Sequence, residues 1–356
     1  KELYHGEPIF KEAVDTCADL LLDTLRLDIR NIIFPEDHTE EAEQKLRDTR
    51  YTQPALFIIE YALSQLWMSW GIRPTVICGH SLGEFVGAHL AGIFSLEDAL
   101  QLVTMRGMLV SNLPKGSMLT VRIDVKSLED ILPNTLSIAA VNSKKLCVVS
   151  GEDDEIEKFS EVLKQQGLPY RLIATSHAFH SVMMNPILEE FGAIVKGINL
   201  NIPKIPIVST VTGTWLSNDK AVDPLYWTNH LRNTVKFSEA MDTIVKLEDV
   251  VMLEVGPGNT LTILSRQNKE AKKMKAIASL PVSKTNENSY HGVLHAMGQL
   301  WLTGLSINWH NFYAQQGRQR LKLPTYVFDR KPCWIEPIVT QPITEVASAN
   351  ANQKTQ

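Results

Sequence analysis

The chain has 356 residues, 44% of them hydrophobic and 21% charged, which is enough for a sizeable core and two domains or subdomains. The formal net charge of −5 argues against nucleic acid as a partner, and the lack of an apolar run of roughly 18 residues argues against a membrane span. The cysteines lie too far apart for a zinc site or a disulfide framework and indicate a reducing, cytoplasmic setting: Cys17, Cys78, Cys147 and Cys333.

The first third of the chain alternates between helix and strand patterns. Residues 54–71 form a strongly apolar stretch that predicts a buried helix. The β-branched run at 74–79 predicts a short buried strand, and 95–112 begins with an acidic turn and continues as an amphipathic helix. This alternation predicts an α/β fold with a largely parallel sheet covered by helices.

A different pattern follows the predicted helix at 95–112. Between 117 and 175, the order strand, helix, strand, strand, helix, strand predicts a small ferredoxin-like subdomain. The α/β pattern then resumes, with strand-like stretches at 204–213 and 250–258 and helices at 235–247 and 287–304. We therefore expect three parts: a large subdomain of residues 1–116 and 176–310, an inserted small subdomain of 117–175, and a linker and tail at 311–356.

The stretch CGHSLGEFVG, residues 78–87, stands at a predicted junction between a strand and a helix. A G-x-S-x-G pattern at such a junction is typical of a nucleophile elbow, in which glycines permit a tight turn that exposes the serine hydroxyl. The first N–H groups of the helix would then face any oxyanion formed beside Ser81. The alternative is a glycine-rich turn whose serine only caps a helix.

A serine nucleophile needs a base, and ten histidines are available. His177 and His180, in TSHAFHS, lie where the inserted subdomain returns to the large one, and a cleft between subdomains is where an active site is expected. No acid between the serine and these histidines stands out, so a main-chain carbonyl could hold the base instead of a carboxylate. His291 and His295 share a helix face but have no evident third ligand, so we expect no metal site.

Five motifs occur in order: GHSLGE (79–84), MRGML (105–109), HAFH (177–180), YWTNHLRNTVKF (226–237) and EVGPGNTLT (254–262). Together they resemble the acyltransferase domain of modular type I polyketide synthases and, more distantly, the malonyl-CoA:acyl-carrier-protein transacylases of fatty acid synthesis. TQPALFIIEYAL (52–63) also matches, and LPTYVFDRKPCWIEP (323–337) looks like the linker that follows such a domain. The resemblance covers nearly the whole chain. It implies an α/β-hydrolase-like large subdomain with the ferredoxin-like subdomain inserted.

The resemblance implies a role for each matching residue. Ser81 would carry the acyl group as an ester, and His180 would take the serine proton and later protonate the leaving CoA thiol. The main-chain carbonyl at His230 would orient His180, and the N–H of Leu82 would be one oxyanion donor. Arg106 would bind a free carboxylate of the substrate, because a guanidinium matches a carboxylate bidentately.

The motif around the base also implies a substrate preference. In the family, HAFH accompanies malonyl units and YASH accompanies methylmalonyl units. Phe179, two residues after His177 in this motif, stands where the methylmalonyl type has a serine, and its ring would crowd an α-methyl group. Leu82 agrees, because the methylmalonyl type usually has glutamine after the nucleophile. We therefore expect selectivity for malonyl units, worth about 1–3 kcal/mol for the single methyl group.

The implied reaction is a ping-pong transfer in polyketide biosynthesis, with no tightly bound cofactor and no metal. The donor would be malonyl-CoA and the acceptor the phosphopantetheine thiol of an acyl carrier protein, with a ketosynthase and other megasynthase domains as neighbours. The alternatives are a methylmalonyl-selective enzyme, an editing acyl hydrolase and an inactive acyltransferase-like structural domain. The family also carries a Gly-Gln-Gly-x-Gln segment upstream of the position of Lys1, and its final glutamine lies near the oxyanion. Loss of one oxyanion donor can cost about 100-fold in rate, so a chain without this segment would be less active.

Overall fold

The structure, a computed structural model, describes residues 1–36, 40–281, 288–314 and 316–338. The chain divides into a compact unit, Lys1–Gln316, and a second unit, Gly317–Gln356. In the second unit, the described residues form no helix or strand, and their large apolar side chains are exposed. Residues 339–356, the end of the predicted linker and tail, lie outside the described residues.

The compact unit is built mainly from helices. They are α1 (Glu2–Gly6), α2 (Pro8–Leu25), α3 (Arg30–Ile33), α4 (Glu40–Arg47), α5 (Thr49–Ser69), α6 (Gly83–Leu90), α7 (Leu96–Ser111), α8 (Val125–Glu129), α9 (Asp153–Gln165), α10 (Leu188–Lys196), α11 (Asn218–Ala221), α12 (Pro224–His230), α13 (Phe237–Ile244), α14 (Thr260–Ser265), α15 (Ser289–Trp301) and α16 (Trp309–Tyr313). The strands are β1 (Ser117–Val121), β2 (Ser137–Ser143), β3 (Leu146–Gly151), β4 (Tyr170–Ile173), β5 (Val251–Glu254) and β6 (Lys275–Ala278). Two short 3₁₀ turns cover Val182–Ile187 and Ala271–Lys273.

Helix α5 is the longest helix and confirms the helix predicted at 54–71. It begins at Thr49 because Asp48 caps it, with the Asp48 carboxylate accepting the N–H of Arg50. It packs against α2 and α7. Gly107 of α7 permits the close approach, since a β-carbon there would lie 2.8 Å from the carbonyl oxygen of Thr49. Because α6 also contacts both α5 and α7, this pair fixes the position of α6.

A four-stranded antiparallel sheet in the order β2-β3-β1-β4 forms the middle of the chain. It confirms the element order predicted for 117–175. Helices α8 and α9 cover one face, where Leu119 and Phe159 are buried, and α13 covers the other, where Met118 and Met241 pack. Because successive side chains of β1 point to opposite faces, both faces of this sheet are packed against other elements of the unit.

Parallel pairing is more limited than the sequence predicts. In the described residues, the regular parallel ladder is the pair β5 and β6. The strands predicted at 74–79 and 204–213 meet in parallel at one bridge, between Ile77 and Ile207. Pro206 has no N–H to extend the ladder on one side, and the chain turns away at the serine motif on the other. The two segments therefore pair in the predicted parallel direction, but over one bridge and not as a continuous sheet.

Candidate active site

The Gly-His-Ser-Leu-Gly motif forms a tight turn in front of α6. Ser81 has a left-handed φ of 50°, which is unusual for a residue with a side chain. Gly79 cannot carry a β-carbon, because that atom would overlap the backbone of Gly83 and Glu84. The turn therefore stores backbone strain directly at the serine, as a nucleophile elbow does.

His180 lies between the serine and a backbone carbonyl. Its Nε2 is 2.7 Å from the Ser81 Oγ, and its Nδ1 is 2.8 Å from the carbonyl oxygen of Asn233. Because a carbonyl only accepts, Nδ1 carries the hydrogen and Nε2 is free to accept the serine O–H. The imidazole is 4% exposed. The two residues that the sequence pairs as nucleophile and base thus share a hydrogen bond.

The carbonyl that orients His180 is not the predicted one. The expectation was His230, but the structure places the carbonyl of Asn233 there. His230 is the last residue of α12, and the chain makes a further turn, with the N–H of Asn233 donating to Asn229, before it reaches the imidazole. The prediction chose the correct segment and missed the residue by three positions, because the direction of a carbonyl after a helix end depends on how the chain leaves the helix.

The surroundings of His180 favour its neutral form. Burial lowers its pKa well below the ordinary histidine value, and Arg106 and then His230 lower it further, while the Asn233 carbonyl opposes them. At neutral pH the imidazole is therefore unprotonated at Nε2. It can act as an acceptor for the Ser81 proton.

Arg106 is a buried cation on α7. Its side chain is 2% exposed, and its guanidinium donates to the Gln53 side-chain oxygen and lies 6.0 Å from the centre of the Phe85 ring. Burial lowers the pKa of Arg106 to about 10, so the group stays charged at neutral pH. Among the described residues it has no carboxylate partner, and its Nε has no hydrogen-bond partner. Such a group can bind an anion that enters the site.

The N–H of Leu82 is available at the start of α6. The N–H groups of Gly83 and Glu84 donate to His80 and Ser81, whereas no acceptor for the N–H of Leu82 is present in the described part of the chain. The Leu82 side chain is buried. A backbone donor directly after the serine, without an acceptor in the described residues, is compatible with the predicted oxyanion role.

His177 and Phe179 flank the site in a less direct way. His177 is buried; its Nε2 donates to the carbonyl of Leu113 at 3.3 Å, and its Nδ1 lies 2.8 Å from the Ser176 hydroxyl. Both ring nitrogens of His177 are therefore hydrogen-bonded to neighbouring residues, Ser176 and Leu113. The half-buried Phe179 packs at the boundary of two hydrophobic clusters, with its ring centre 6.4 Å from that of His177.

Two residues that contact the predicted site were not predicted from the sequence. Gln53 holds the guanidinium of Arg106, and the fully buried Glu84 lies 3.7 Å from His230. Both stand inside stretches already quoted, TQPAL and GHSLGE. A polar residue within an apolar helical stripe was the available signal in each case, but it does not indicate which partner the side chain meets.

A cavity of about 240 Å³ lies next to the elbow turn. Its lining includes two carboxyl groups, Glu60 and Glu254, together with His80 and Asn142, whose side chains are 2.8 Å apart. Burial, and then the charge of Glu254, raises the pKa of Glu60 to about 8. Glu254 itself accepts the N–H groups at the start of α14. The cavity therefore contains one protonated carboxyl group, Glu60, and one carboxyl group that caps the start of α14, Glu254.

The described ranges of the chain contain no group of three or more histidine, cysteine or acidic side chains that could hold a metal ion. They also contain no helix with the length and apolarity needed to cross a membrane. His295, one of the two histidines considered as ligands, lies 2.7 Å from the side-chain nitrogen of Gln299.

Known proteins with similar sequences and structures are polyketide synthases and their acyltransferase domains. The chain is 36% identical over 342 residues to the phenolphthiocerol synthesis polyketide synthase type I Pks15/1 of Mycobacterium marinum, a match that covers 95% of this chain and 16% of that protein. The acyl transferase domain of ZmaA superposes with a TM-score of 0.83 at 35% identity, covering 91% of this chain and 76% of that one.

A second solved structure gives a similar result. The acyltransferase domain from the second module of the salinomycin polyketide synthase has a TM-score of 0.82 at 32% identity, with 92% of this chain and 75% of that chain covered. The chain therefore spans 16% of the length of the Mycobacterium marinum relative and about three quarters of the two solved acyltransferase domain chains. The family model described as the acyl transferase domain matches residues 1–307, and the chain belongs to this acyl transferase domain family, among the acyltransferase domains of modular type I polyketide synthases.

Proposed function

We propose that this domain transfers a malonyl group from malonyl-CoA to the phosphopantetheine thiol of an acyl carrier protein through an ester on Ser81. The observation that carries the proposal is the hydrogen-bonded line from the Ser81 hydroxyl through His180 to the Asn233 carbonyl. A buried arginine without a carboxylate partner in the described residues, Arg106, supports a substrate with a free carboxylate.

In the first half-reaction, the Ser81 Oγ attacks the thioester carbonyl while its proton passes to Nε2 of His180. The new oxyanion accepts the N–H of Leu82. When the carbon–sulfur bond breaks, His180 returns the proton to the CoA sulfur, which leaves as a thiol. The acyl group then remains on Ser81 as an ester.

The second half-reaction runs the same steps with a different thiol. The phosphopantetheine thiol gives its proton to His180 and attacks the ester carbon, and the Ser81 oxygen leaves and recovers the proton from His180. In each half-reaction one acyl group and one proton are transferred, and no atom changes its oxidation state. The proposed reaction therefore needs no metal and no redox cofactor. This ping-pong scheme is consistent with the neutral state that burial favours for His180.

The proposed substrate preference rests mainly on Arg106 and Phe179, with His177 and Leu82 in support. Arg106 would hold the malonyl carboxylate bidentately and so fix one orientation of the acyl chain, which a simple acetyl group would not allow. Phe179 would narrow the space at the α-carbon, with His177 supporting the turn that carries it. Leu82 would contribute its backbone N–H and its buried side chain to the same wall.

We also propose that the compact unit consists of an α/β-hydrolase-like large subdomain, residues 1–116 and 176–310, and a ferredoxin-like small subdomain, residues 117–175. The antiparallel order β2-β3-β1-β4 supports the second assignment. Residues 311–356 would be the linker after the domain. As one part of a larger synthase, the domain would act in the cytoplasm beside a ketosynthase and with an acyl carrier protein as its acceptor.

Intact-protein mass spectrometry tests this function directly. Brief incubation with malonyl-CoA should add one malonyl group to the wild-type chain and none to a Ser81→Ala variant, while Ser160→Ala, which removes a half-buried serine of α9, should behave as wild type. A faster methylmalonyl adduct would overturn the Phe179 argument but keep the chemistry. Release of the acyl group to water in place of the carrier thiol would indicate an editing hydrolase. No adduct from any donor would indicate an inactive domain.

A further inference from the structure

A fully buried carboxylate lies three residues after Ser81. Glu84, on the first turn of α6, is 0% exposed. Its Oε2 accepts the N–H and the hydroxyl of Thr210 at 2.9 and 2.8 Å, and its Oε1 accepts the hydroxyl of Tyr226. Burial alone would raise the pKa of Glu84, but His230, Tyr226 and Thr210 together hold it below its ordinary value. Glu84 is therefore an anion in the folded protein.

His230 faces this carboxylate from α12. Its Nε2 lies 3.7 Å from Oε2 of Glu84, and the residue is 1% exposed. Its ring packs edge-on against Phe85 with the centres 5.1 Å apart, and its centre is 6.3 Å from that of His180. Within the described residues, its Nδ1 has no hydrogen-bond partner, so Glu84 is the polar group that holds this ring next to His180.

The pair joins the two segments that carry the reacting groups. Ser81 precedes Glu84 by three residues, and Asn233 follows His230 by three residues. The contact between Glu84 and His230 therefore links the segment that carries the serine to the segment that carries the Asn233 carbonyl. His180 is hydrogen-bonded to both ends of that span.

We infer that His230, held by Glu84, is a positioning residue for His180. The inference rests on the proposed function, in which His180 is the base, and it adds two residues that do not touch the substrate. His230 would keep the imidazole in line with Ser81 by packing against it, while Glu84 prevents the His230 ring from turning away.

The pair also has an electrostatic effect on the base. The titratable groups that face His180 are Arg106 on α7, His80 in the elbow turn and His230 on α12, and Glu84 with Tyr226 faces His230. Burial is the largest cause of the lowered pKa of His180, followed by Arg106 and then His230. Removal of His230 should therefore raise the pKa of His180, so that more alkaline conditions are needed for its neutral form.

The test measures the rate of Ser81 acylation from pH 5 to pH 9 in His230→Ala, in His230→Gln and in a control, His89→Gln. The control removes a half-buried histidine of α6 that contacts Tyr61 and Phe94 instead of the site. We expect His230→Ala to lower the maximal rate at least about tenfold, since a misplacement of about 1 Å can cost about 100-fold. The acid limb of its pH–rate profile should also shift to higher pH. His230→Gln, which keeps a donor toward Glu84, should recover part of the rate.

Each outcome decides the inference. A folded His230→Ala with the rate and acid limb of the His89→Gln control would overturn it. If His230→Ala does not fold, His230→Gln carries the test and should show the shifted acid limb. If no acyl-CoA acylates the wild-type chain, the proposed function fails. NMR of ¹³C-labelled histidine, with His180 assigned from His180→Ala, then shows whether the His180 midpoint rises in the His230 variants.

Discussion

At the scale of single residues, a neutral group orients His180, the proposed base. The Asn233 carbonyl selects the tautomer of His180 but brings no full negative charge to the imidazole. A protonated His180 is therefore less stable than it would be beside a carboxylate, and Arg106 reduces its stability further. In the proposed reaction this favours prompt return of the proton to the departing thiol.

Arg106 yields a prediction about substrate choice. Arg106→Lys keeps a positive charge but loses the planar pair of donors, so acylation by malonyl-CoA should fall roughly 10- to 100-fold, the worth of one charge-assisted hydrogen bond. The slower acylation by acetyl-CoA should change little. The measurement compares kcat/KM for both donors in the wild type, in Arg106→Lys and in Arg122→Lys, which alters an exposed arginine. An equal loss with both donors would contradict the assigned role.

At the scale of secondary-structure elements, α6 and the turn before it depend on close backbone packing. Gly87 of α6 lies against Ile77, where a β-carbon would meet the isoleucine side chain at 2.5 Å. Phe85 packs against Trp227 with ring centres 5.5 Å apart. The helix is therefore held from both sides, and its first residue has little freedom to move. This rigidity maintains the strained φ of Ser81.

Gly79→Ala should break this arrangement. Its methyl group would overlap the backbone of the same turn, which cannot give way as a side chain can, so we expect a loss of about 2 kcal/mol or more in unfolding free energy and a loss of acylation. Gly298→Ala is the matched control, since nothing lies within 4 Å of its β-carbon on α15 and alanine favours a helix. Urea denaturation of both variants gives the comparison. An unaltered Gly79→Ala would show that the turn has another conformation.

At the scale of the whole compact unit, buried titratable groups have opposing effects on stability. Burial lowers the pKa of His80, His89 and His180, so these groups stabilise the fold above about pH 6.5 and destabilise it as the pH falls. Glu60 acts in the other direction, because its raised pKa keeps it protonated where the unfolded chain ionises. Its contribution is present below the ordinary pKa near 4.5 and is lost as the pH rises toward about 8.

Glu60→Gln separates these effects. Replacement of the carboxyl group by a neutral amide removes the loss that sets in between about pH 4.5 and 8, so the variant should gain at least about 1 kcal/mol relative to wild type on going from pH 5 to pH 8. Urea midpoints at the two pH values provide the measurement. Glu12→Gln, at an exposed position of α2, should follow the wild type. A stability difference that does not depend on pH would mean that Glu60 ionises normally.

Local signals in the sequence were enough to locate several elements and residues. A strongly apolar stretch located α5, an acidic first turn and an amphipathic pattern located α7, short strand-like stretches located the four strands of the antiparallel sheet, and the glycine spacing located the turn at Ser81. The order of short motifs identified the family and selected His180 from ten histidines. These signals depend on residues within a few positions of one another, which is the range over which helix, strand and turn preferences act.

Only the tertiary structure decided which distant groups meet. It replaced His230 with Asn233 as the source of the carbonyl, placed Glu84 against His230, and reduced the pairing of 74–79 to a single bridge. Each of these features is a hydrogen bond or a contact between segments more than 50 residues apart. Its geometry depends on how whole helices pack and where their ends point, and no pattern within either segment encodes that information.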